Sequence, residues 1–435
     1  MQVIENLKVK EKLYKEKLDN GLTVMIIPKK GIQKKYIIWG TNYGSNDSVF
    51  VVPGENEATT VPNGVAHFLE HKLFEQENGT NSLDTLTSIG VEANAYTTND
   101  HTAYLYECTD NFYEALDEFM DYVQHPYFTD ENVEKEKGII AQEIKMYDDD
   151  PGWNVSFNAI KAMYVNHPVR VDIAGSVESI YKITKEELYK CYNTFYNPGN
   201  MILFVVGDLD AEEVFECVRK SNHKDIERLQ EEIVRFYPEE PKEVKQKEIV
   251  QKFPISMPMF SICFKDDKVN IKGEELLKYE VMTDILTDML FKKGSLIYED
   301  LYMKGLITPN FGAGFSSQID YSYTSIGGES KDPRKVKEII MNYIEKFKKE
   351  GLDKEAFERT KKKHIGNFIK YFDSVTFIAN NFITYKFKGI NLLDYVEVMK
   401  KVTFEEVTER LRQAYDDVIL TTDIIVGFPN ETDGE

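Results

Sequence analysis

Two segments half a chain apart read alike, and that echo constrains the fold more than any other feature of the sequence. ITKEELYKCYNTFYNPGNMILFVVGD begins at Ile183, and VTFEEVTERLRQAYDDVILTTDIIVGF begins at Val402. Each opens apolar-Thr-x-Glu-Glu-apolar, the pattern of a helix N-cap followed by a helix, with Thr184 and Thr403 at the cap. Each then enters a β-rich stretch that ends in Val-Gly, at Gly207 and Gly427. Thr184 to Gly207 spans 23 positions and Thr403 to Gly427 spans 24, so the copies lie about 220 residues apart in a chain of 435.

The rest of the pattern fits a duplication. Residues 21–27 and 36–42 read as strands in the first half, as do 259–265 and 321–327 in the second. Helical periodicity alternates with them at 111–124, 131–147, 274–291 and 333–349. The expected fold is α+β: two similar domains, each a mostly antiparallel sheet with helices packed on it. Long helices and loops between the strands argue against a doubly wound parallel sheet. Residues 226–247 are charged and carry Pro238 and Pro241, which suits a linker. The expected division is therefore a domain over 1–225, the linker, and a domain over 248–435. With 42% hydrophobic and 12% aromatic residues the chain has material for buried cores, which excludes a mostly disordered protein.

Charge narrows the partners. Lys+Arg number 53 against 74 Asp+Glu, a net charge of −21, which argues against a nucleic-acid binder. Residues 51–150 hold 22 acidic side chains, 4 Lys and no Arg, so they alone carry 4 − 22 = −18. Such a field attracts cationic partners, although a solvated acidic surface has the same composition. The opening MQVIENLKVKEKLYKEKLDNG has no apolar core of signal-peptide length, and no apolar run long enough for a membrane span occurs. Cys108, Cys191, Cys217 and Cys263 are widely spaced with no CxxC pair, as in a cytoplasmic protein with reduced thiols.

His67-Phe68-Leu69-Glu70-His71 holds two of only 7 histidines. Its flanks are helical in pattern, with Val65, Leu69 and Leu73 four apart. His67 and His71, at i and i+4, then share one face and can share a metal. Glu70 sits beside that face, placed to reach a metal-site water without being a ligand. Two imidazoles and a carboxylate on one turn are costly to bury without such a partner. A catalytic zinc takes three protein ligands and keeps one open position, so a third ligand must come from elsewhere. Residues 131–153 read as a helix with Val133, Ile140, Ile144 and Tyr147 inward. Glu136 and Glu143, two turns apart, share a face beside that stripe, while Glu131 and Glu134 fall on other faces. On periodicity alone the pair suits metal ligation or a surface charge run equally. Asp148–Gly152 and Trp153 read as a helix stop and a loop, and His101 as a surface turn residue.

At this point the sequence resembles the pitrilysin/insulinase family of zinc peptidases, whose His-x-x-Glu-His motif inverts the usual order. GVAHFLEHKLFE, the Glu136/Glu143 helix about 70 residues on, EANAYTTNDHTAYLY and NPGNMILFVVGDLD all resemble family landmarks. The length resembles the short bacterial branch, like processing-peptidase subunits. The resemblance implies that His67, His71 and Glu143 bind one Zn2+ per chain and that Glu70 is the general base. It implies that Glu136 is a second carboxylate that orients a ligand and supports catalysis. It also implies that 92–106 holds an edge strand pairing with extended peptide, with Asn94 and Ala95 as contacts. An ordinary hairpin turning at Thr98-Asn99-Asp100 reads the same way. The implied activity is endopeptidase cleavage of short or unfolded peptides in a chamber between the domains.

One family feature is missing. Active members carry an Arg and then a Tyr in the second domain that grip the substrate. Here Tyr302 stands at the Arg position, the Tyr position falls near Ile307–Thr308, and no Arg occurs between Asp267 and Lys331. Two alternatives follow: a non-proteolytic zinc-binding subunit that binds peptides or assembles with a partner, and an Fe(II) oxygenase, since two His and a carboxylate also suit iron. The missing clamp also implies a second, homologous subunit. A heterodimer is expected in the cell, with a homodimer when the chain is made alone. The acidity of 51–150 generates a test: at low salt a peptide library should be cut in favour of basic and neutral members, and the bias should shrink as salt rises. Equal cutting of acidic and basic peptides at low salt would contradict the steering.

Overall fold

The computed structural model describes residues 1–222, 231–415 and 418–425, with side chains to Thr422. Gly427 of the second echo, His223 and residues 226–230 lie outside them. Two compact units form, each discontinuous in sequence. The first gathers Met1–Lys145, Val171–Pro238 and Ile369–Phe387; the second gathers Met146–Arg170, Glu239–Phe368 and the described part of Lys388–Glu435.

The first unit is built on a seven-stranded sheet. Its strands are β1 (Gln2–Asn6), β2 (Glu11–Lys17), β3 (Thr23–Pro28) and β4 (Lys35–Thr41), then, past a small ribbon of β5 (Val49–Val51) and β6 (Ala58–Thr60), β7 (Glu92–Thr97), β8 (Thr102–Cys108) and β9 (Met201–Gly207). The order is β1-β2-β3-β9-β4-β8-β7, which leaves β7 on an edge. Only β3 and β9 run parallel, with Val24 opposite Leu203. In the second unit β10 (Glu248–Phe253), β11 (Met259–Lys265), β12 (Gly312–Ser317), β13 (Ser322–Glu329) and β14 (Val418–Ile425) stand in the order β10-β14-β11-β13-β12. Here the first pair, β10 and β14, is parallel and the others antiparallel. This repeats the order and directions of β3-β9-β4-β8-β7, so the fold is α+β and duplicated.

The echo lies at the same place in both copies. Thr184 caps the Lys185–Phe195 helix and Thr403 caps Phe404–Gln413; in each the N3 glutamate, Glu187 or Glu406, bonds back to the cap N–H at 2.9 Å. Each helix then leads to the strand second in its five-strand order, β9 or β14. The stretch 226–247 is not free of structure: Val234 and Phe236 bond β5 at Val51 and Val49, both at 2.9 Å, and the passage from one unit to the other falls at Pro238–Glu239.

Asp148–Trp153 needs correction. The first helix does stop at Asp148, but Asp150 Oδ1 accepts from Trp153 N at 2.7 Å and Pro151 opens a new helix, Pro151–Met163. Asp followed by Pro is an N-cap and first-turn signal as much as a stop. That helix packs on β11 and β14 in the second unit, while Val375–Phe387 packs on β4 and β9 in the first. Each sheet is thus covered by a helix from the other half of the sequence. Among the described residues no helix is long and apolar enough to cross a membrane.

The Val65–Lys72 helix is seated by a close approach of two glycines. Gly64, at φ +93°, would place a Cβ 2.4 Å from Ala174 O, and Gly175, at φ +78°, would place one 2.5 Å from Asn63 O. Ser179 Oγ donates to the same Asn63 carbonyl at 2.8 Å. Gly64→Ala should therefore cost about 1–3 kcal/mol from the backbone conformation alone, with more from the clash, read as a lowered Tm. An unchanged Tm would contradict this seating.

Candidate metal centre

Val65, Leu69 and Leu73 are buried in the core of the first unit with Phe68, Trp39, Tyr104 and Phe119. This anchoring turns the opposite edge of the helix, with His67, Glu70 and His71, toward the Asp130–Asp148 helix. The two imidazoles lie with ring centroids 4.5 Å apart. Glu143 reaches both: Oε1 is 3.6 Å from His67 Nε2 and Oε2 is 3.6 Å from His71 Nε2. One ligand atom from each of the three lies within 4.8 Å of the others, and no other such group of His, Cys, Asp or Glu occurs among the described residues.

The donor set fits zinc. Tetrahedral ligands at about 2.0–2.1 Å from an ion stand roughly 3.3 Å apart, close to the spacing seen. Burial, and His71 beside it, pull His67 down to about 3, so its ring is neutral and offers a lone pair. Its Nδ1 is buried and has no hydrogen-bond partner among the described residues. His71 differs: its Nδ1 lies 3.0 Å from Glu136 Oε1, which fixes the ring and leaves Nε2 for a metal. Burial works against a charge on His71, but Glu136, Glu70 and Glu143 outweigh it and raise its pKa.

Glu136 is only 5% exposed. Burial pushes its carboxyl up, yet the His71 hydrogen bond and the charges of His71 and Lys72 hold it below the usual range. Lys72, 0% exposed, places Nζ 3.7 Å from Glu136 Oε2 and 2.5 Å from Glu75 Oε2. Sequence reasoning missed this lysine; its i, i+3 spacing to Glu75 was the available signal. Glu70, 7% exposed, is raised by burial, an effect the Thr97 hydroxyl reduces by donating to Oε2 at 2.6 Å. Thr97 was missed as well.

Asn94 and Ala95 lie on β7, which is an edge strand as expected. Ala95 packs against the core, whereas Asn94 is exposed and its Oδ1 accepts from Ala95 N at 2.8 Å. The turn 98–101 is closed by Thr98 N to His101 O at 2.8 Å. His101 is not a surface residue, however: its ring is buried against Tyr96 and Phe387, with Nδ1 3.1 Å from Thr98 Oγ1. A turn is exposed only where nothing covers it, and the Val375–Phe387 helix covers this one. Tyr302, 49% exposed on the Leu296–Met303 helix, stacks on Tyr298 in the second unit.

The duplicated α+β fold carries an inverted His-x-x-Glu-His turn that faces a glutamate helix. The comparisons agree. The family model described as insulinase (peptidase family M16) matches residues 42–176, and that described as peptidase M16 inactive domain matches 182–363. YmfH of Bacillus subtilis, named an uncharacterized zinc protease, is 43% identical over 410 residues, 94% of this chain and 95% of the relative. The zinc protease PqqE of Helicobacter pylori is 24% identical over 379 residues, 85% of this chain and 82% of the relative. An M16-like peptidase from Alicyclobacillus acidocaldarius superposes with TM-score 0.92 at 34% identity, covering 96% of this chain and 99% of that one. The periplasmic protease PqqL of Escherichia coli shares the fold at TM-score 0.73 and 18% identity, and this chain spans 48% of its length. The chain belongs to the insulinase family, peptidase family M16.

Lys72→Met keeps the buried aliphatic stem and removes the ammonium facing Glu75 and Glu136. Stability should fall by about 1–3 kcal/mol in a denaturant titration, because Glu136 loses one of its partners in a buried setting. A variant as stable as the parent would show that the ammonium is not needed there.

Proposed function

We propose that this chain is a zinc-dependent endopeptidase acting on short or unfolded peptides, with one Zn2+ held by His67, His71 and Glu143. The observation that carries the reading is the convergence of both Nε2 atoms on Glu143, beside a buried Glu70 that is not one of the three. Bound zinc supplies Lewis acidity, which makes a water molecule acidic enough to lose a proton near neutral pH. Glu70 takes that proton and passes it to the leaving amine, a shuttle suited by its raised proton affinity. Glu136 holds His71 in the tautomer that presents Nε2. The edge of β7 receives the peptide as an added strand, with Asn94 and Ala95 as contacts. In this reading 1–225 is the catalytic domain, and 248–435, joined through 226–247, is a similar domain without a zinc motif.

The names of YmfH and PqqE support zinc and proteolysis. The missing Arg between Asp267 and Lys331 favours a second reading, a zinc-binding subunit that binds peptides without cutting them. It also favours a homologous partner that supplies the clamp; that this fold recurs as half the length of PqqL supports such pairing. Four free cysteines, three of them buried, fit a reducing cytoplasm.

Metal analysis and a quenched-peptide assay decide between the readings. One zinc per chain and peptide hydrolysis are expected. Glu70→Gln should keep zinc and lose about 10²–10⁴ in kcat, whereas Glu143→Gln should lose both zinc and activity. A zinc-loaded chain that binds peptides but cuts none, alone or with a homologous partner, would establish the second reading instead.

A further inference from the structure

One hydrogen bond ties the peptide-facing strand to the base. Thr97 is the last residue of β7, and alternation along the strand sets it on the same face as Ala93 and Ala95, toward the Val65–Lys72 helix. Its hydroxyl donates to Glu70 Oε2 at 2.6 Å. An ionised carboxylate only accepts, so the single Thr97 proton is committed to Glu70. The Thr97 oxygen is in turn approached by Thr102 Oγ1 at 3.3 Å, from the residue directly opposite in the β7–β8 register. Thr102 is fully buried and donates its one hydroxyl proton to Tyr43 O at 2.9 Å, so toward Thr97 it offers packing and not a second hydrogen bond. The backbone that carries the donor to Glu70 is paired into the sheet at this position, with Thr97 opposite Thr102.

We propose that Thr97 is a positioning residue for the peptidase reaction: it holds one oxygen of Glu70 so that the other stays aimed at the proton to be transferred. The inference rests on the zinc-peptidase reading above. A glutamate has three side-chain torsions, and no other hydrogen bond to the Glu70 carboxylate is made among the described residues. Without Thr97 the carboxylate keeps its chemistry but samples orientations from which proton transfer fails. The effect should appear in turnover rather than in substrate or metal binding.

Thr97→Val preserves shape and β-branching, and Thr97→Ser restores the hydroxyl. Each full-length variant is to be measured for kcat and KM on a quenched peptide, for zinc affinity against a chromophoric chelator, and for Tm. Thr97→Val should lower kcat about 10–100-fold, the loss expected for a missing hydrogen bond to a charged group, with KM and zinc affinity within about twofold of the parent. Thr97→Ser should recover kcat to within about threefold of the parent. An unchanged kcat in Thr97→Val overturns the proposal. So does a loss that Thr97→Ser fails to rescue, or one accompanied by an equal loss of zinc affinity or rise in KM, since each marks a structural role for the strand end. A zinc-loaded parent chain with no peptidase activity, either alone or with a homologous partner, overturns the underlying reading first and this inference with it, and that result is separable because it precedes any variant.

Discussion

The first unit depends on seating two imidazoles and a carboxylate on one turn of a helix that is otherwise buried. Polar groups lose their water there and must be repaid by close partners. Glu136 meets His71 Nδ1, Thr97 meets Glu70, and Glu143 faces both Nε2 atoms. The charges do not close, however. Glu75 and Glu136 lie against Lys72, and Glu70 and Glu143 bring two more carboxylates to the histidine turn, so with these four ionised and both imidazoles neutral they sum with Lys72 to 1 − 4 = −3. A divalent ion among His67, His71 and Glu143 removes most of that excess, and this is the electrostatic reason why the cluster reads as a metal centre rather than as a structural network.

Around this turn the chain builds one scaffold twice. The same five strands, in the same order and with one parallel pair each, recur in both units, yet the histidine turn is present in only one. The second copy preserves the capped helix and the strand that follows it, because both are needed to fill the sheet. It has no such need for a metal helix. The model described as an inactive domain matches 182–363, of which 239–363 fall in this second copy.

What the sequence made legible was what is local. The i, i+4 histidines and the two-turn spacing of Glu136 and Glu143 follow from helical periodicity, and the strand and helix ranges at 259–265, 273–291 and 333–350 followed closely from pattern. That Glu143 meets the histidines could not come from periodicity, which left ligation and surface charge equal; only the family resemblance joined segments about 70 residues apart. The contacts of Thr97 with Glu70 and of Lys72 with Glu136 are made by tertiary packing and left no pattern; only the i, i+3 spacing of Lys72 to Glu75 was legible. His101 was misread for the same reason, as a residue in a polar turn that a helix from residues 375–387 happens to cover. Periodicity also says that a helix has a buried face but not which sheet buries it, so the exchange of Pro151–Met163 and Val375–Phe387 between the halves left no trace in the pattern.

Zinc K-edge X-ray absorption on the zinc-loaded, full-length protein tests the central claim most directly, because it reports the ligands whether or not a substrate is known. A single site with a first shell of nitrogen and oxygen at about 2.0–2.1 Å, including two imidazoles and no sulfur, is the expected result. The spectrum should lose one imidazole in His71→Ala. Sulfur in the first shell, or a two-imidazole spectrum that persists unchanged in His71→Ala, would contradict the centre built from His67, His71 and Glu143.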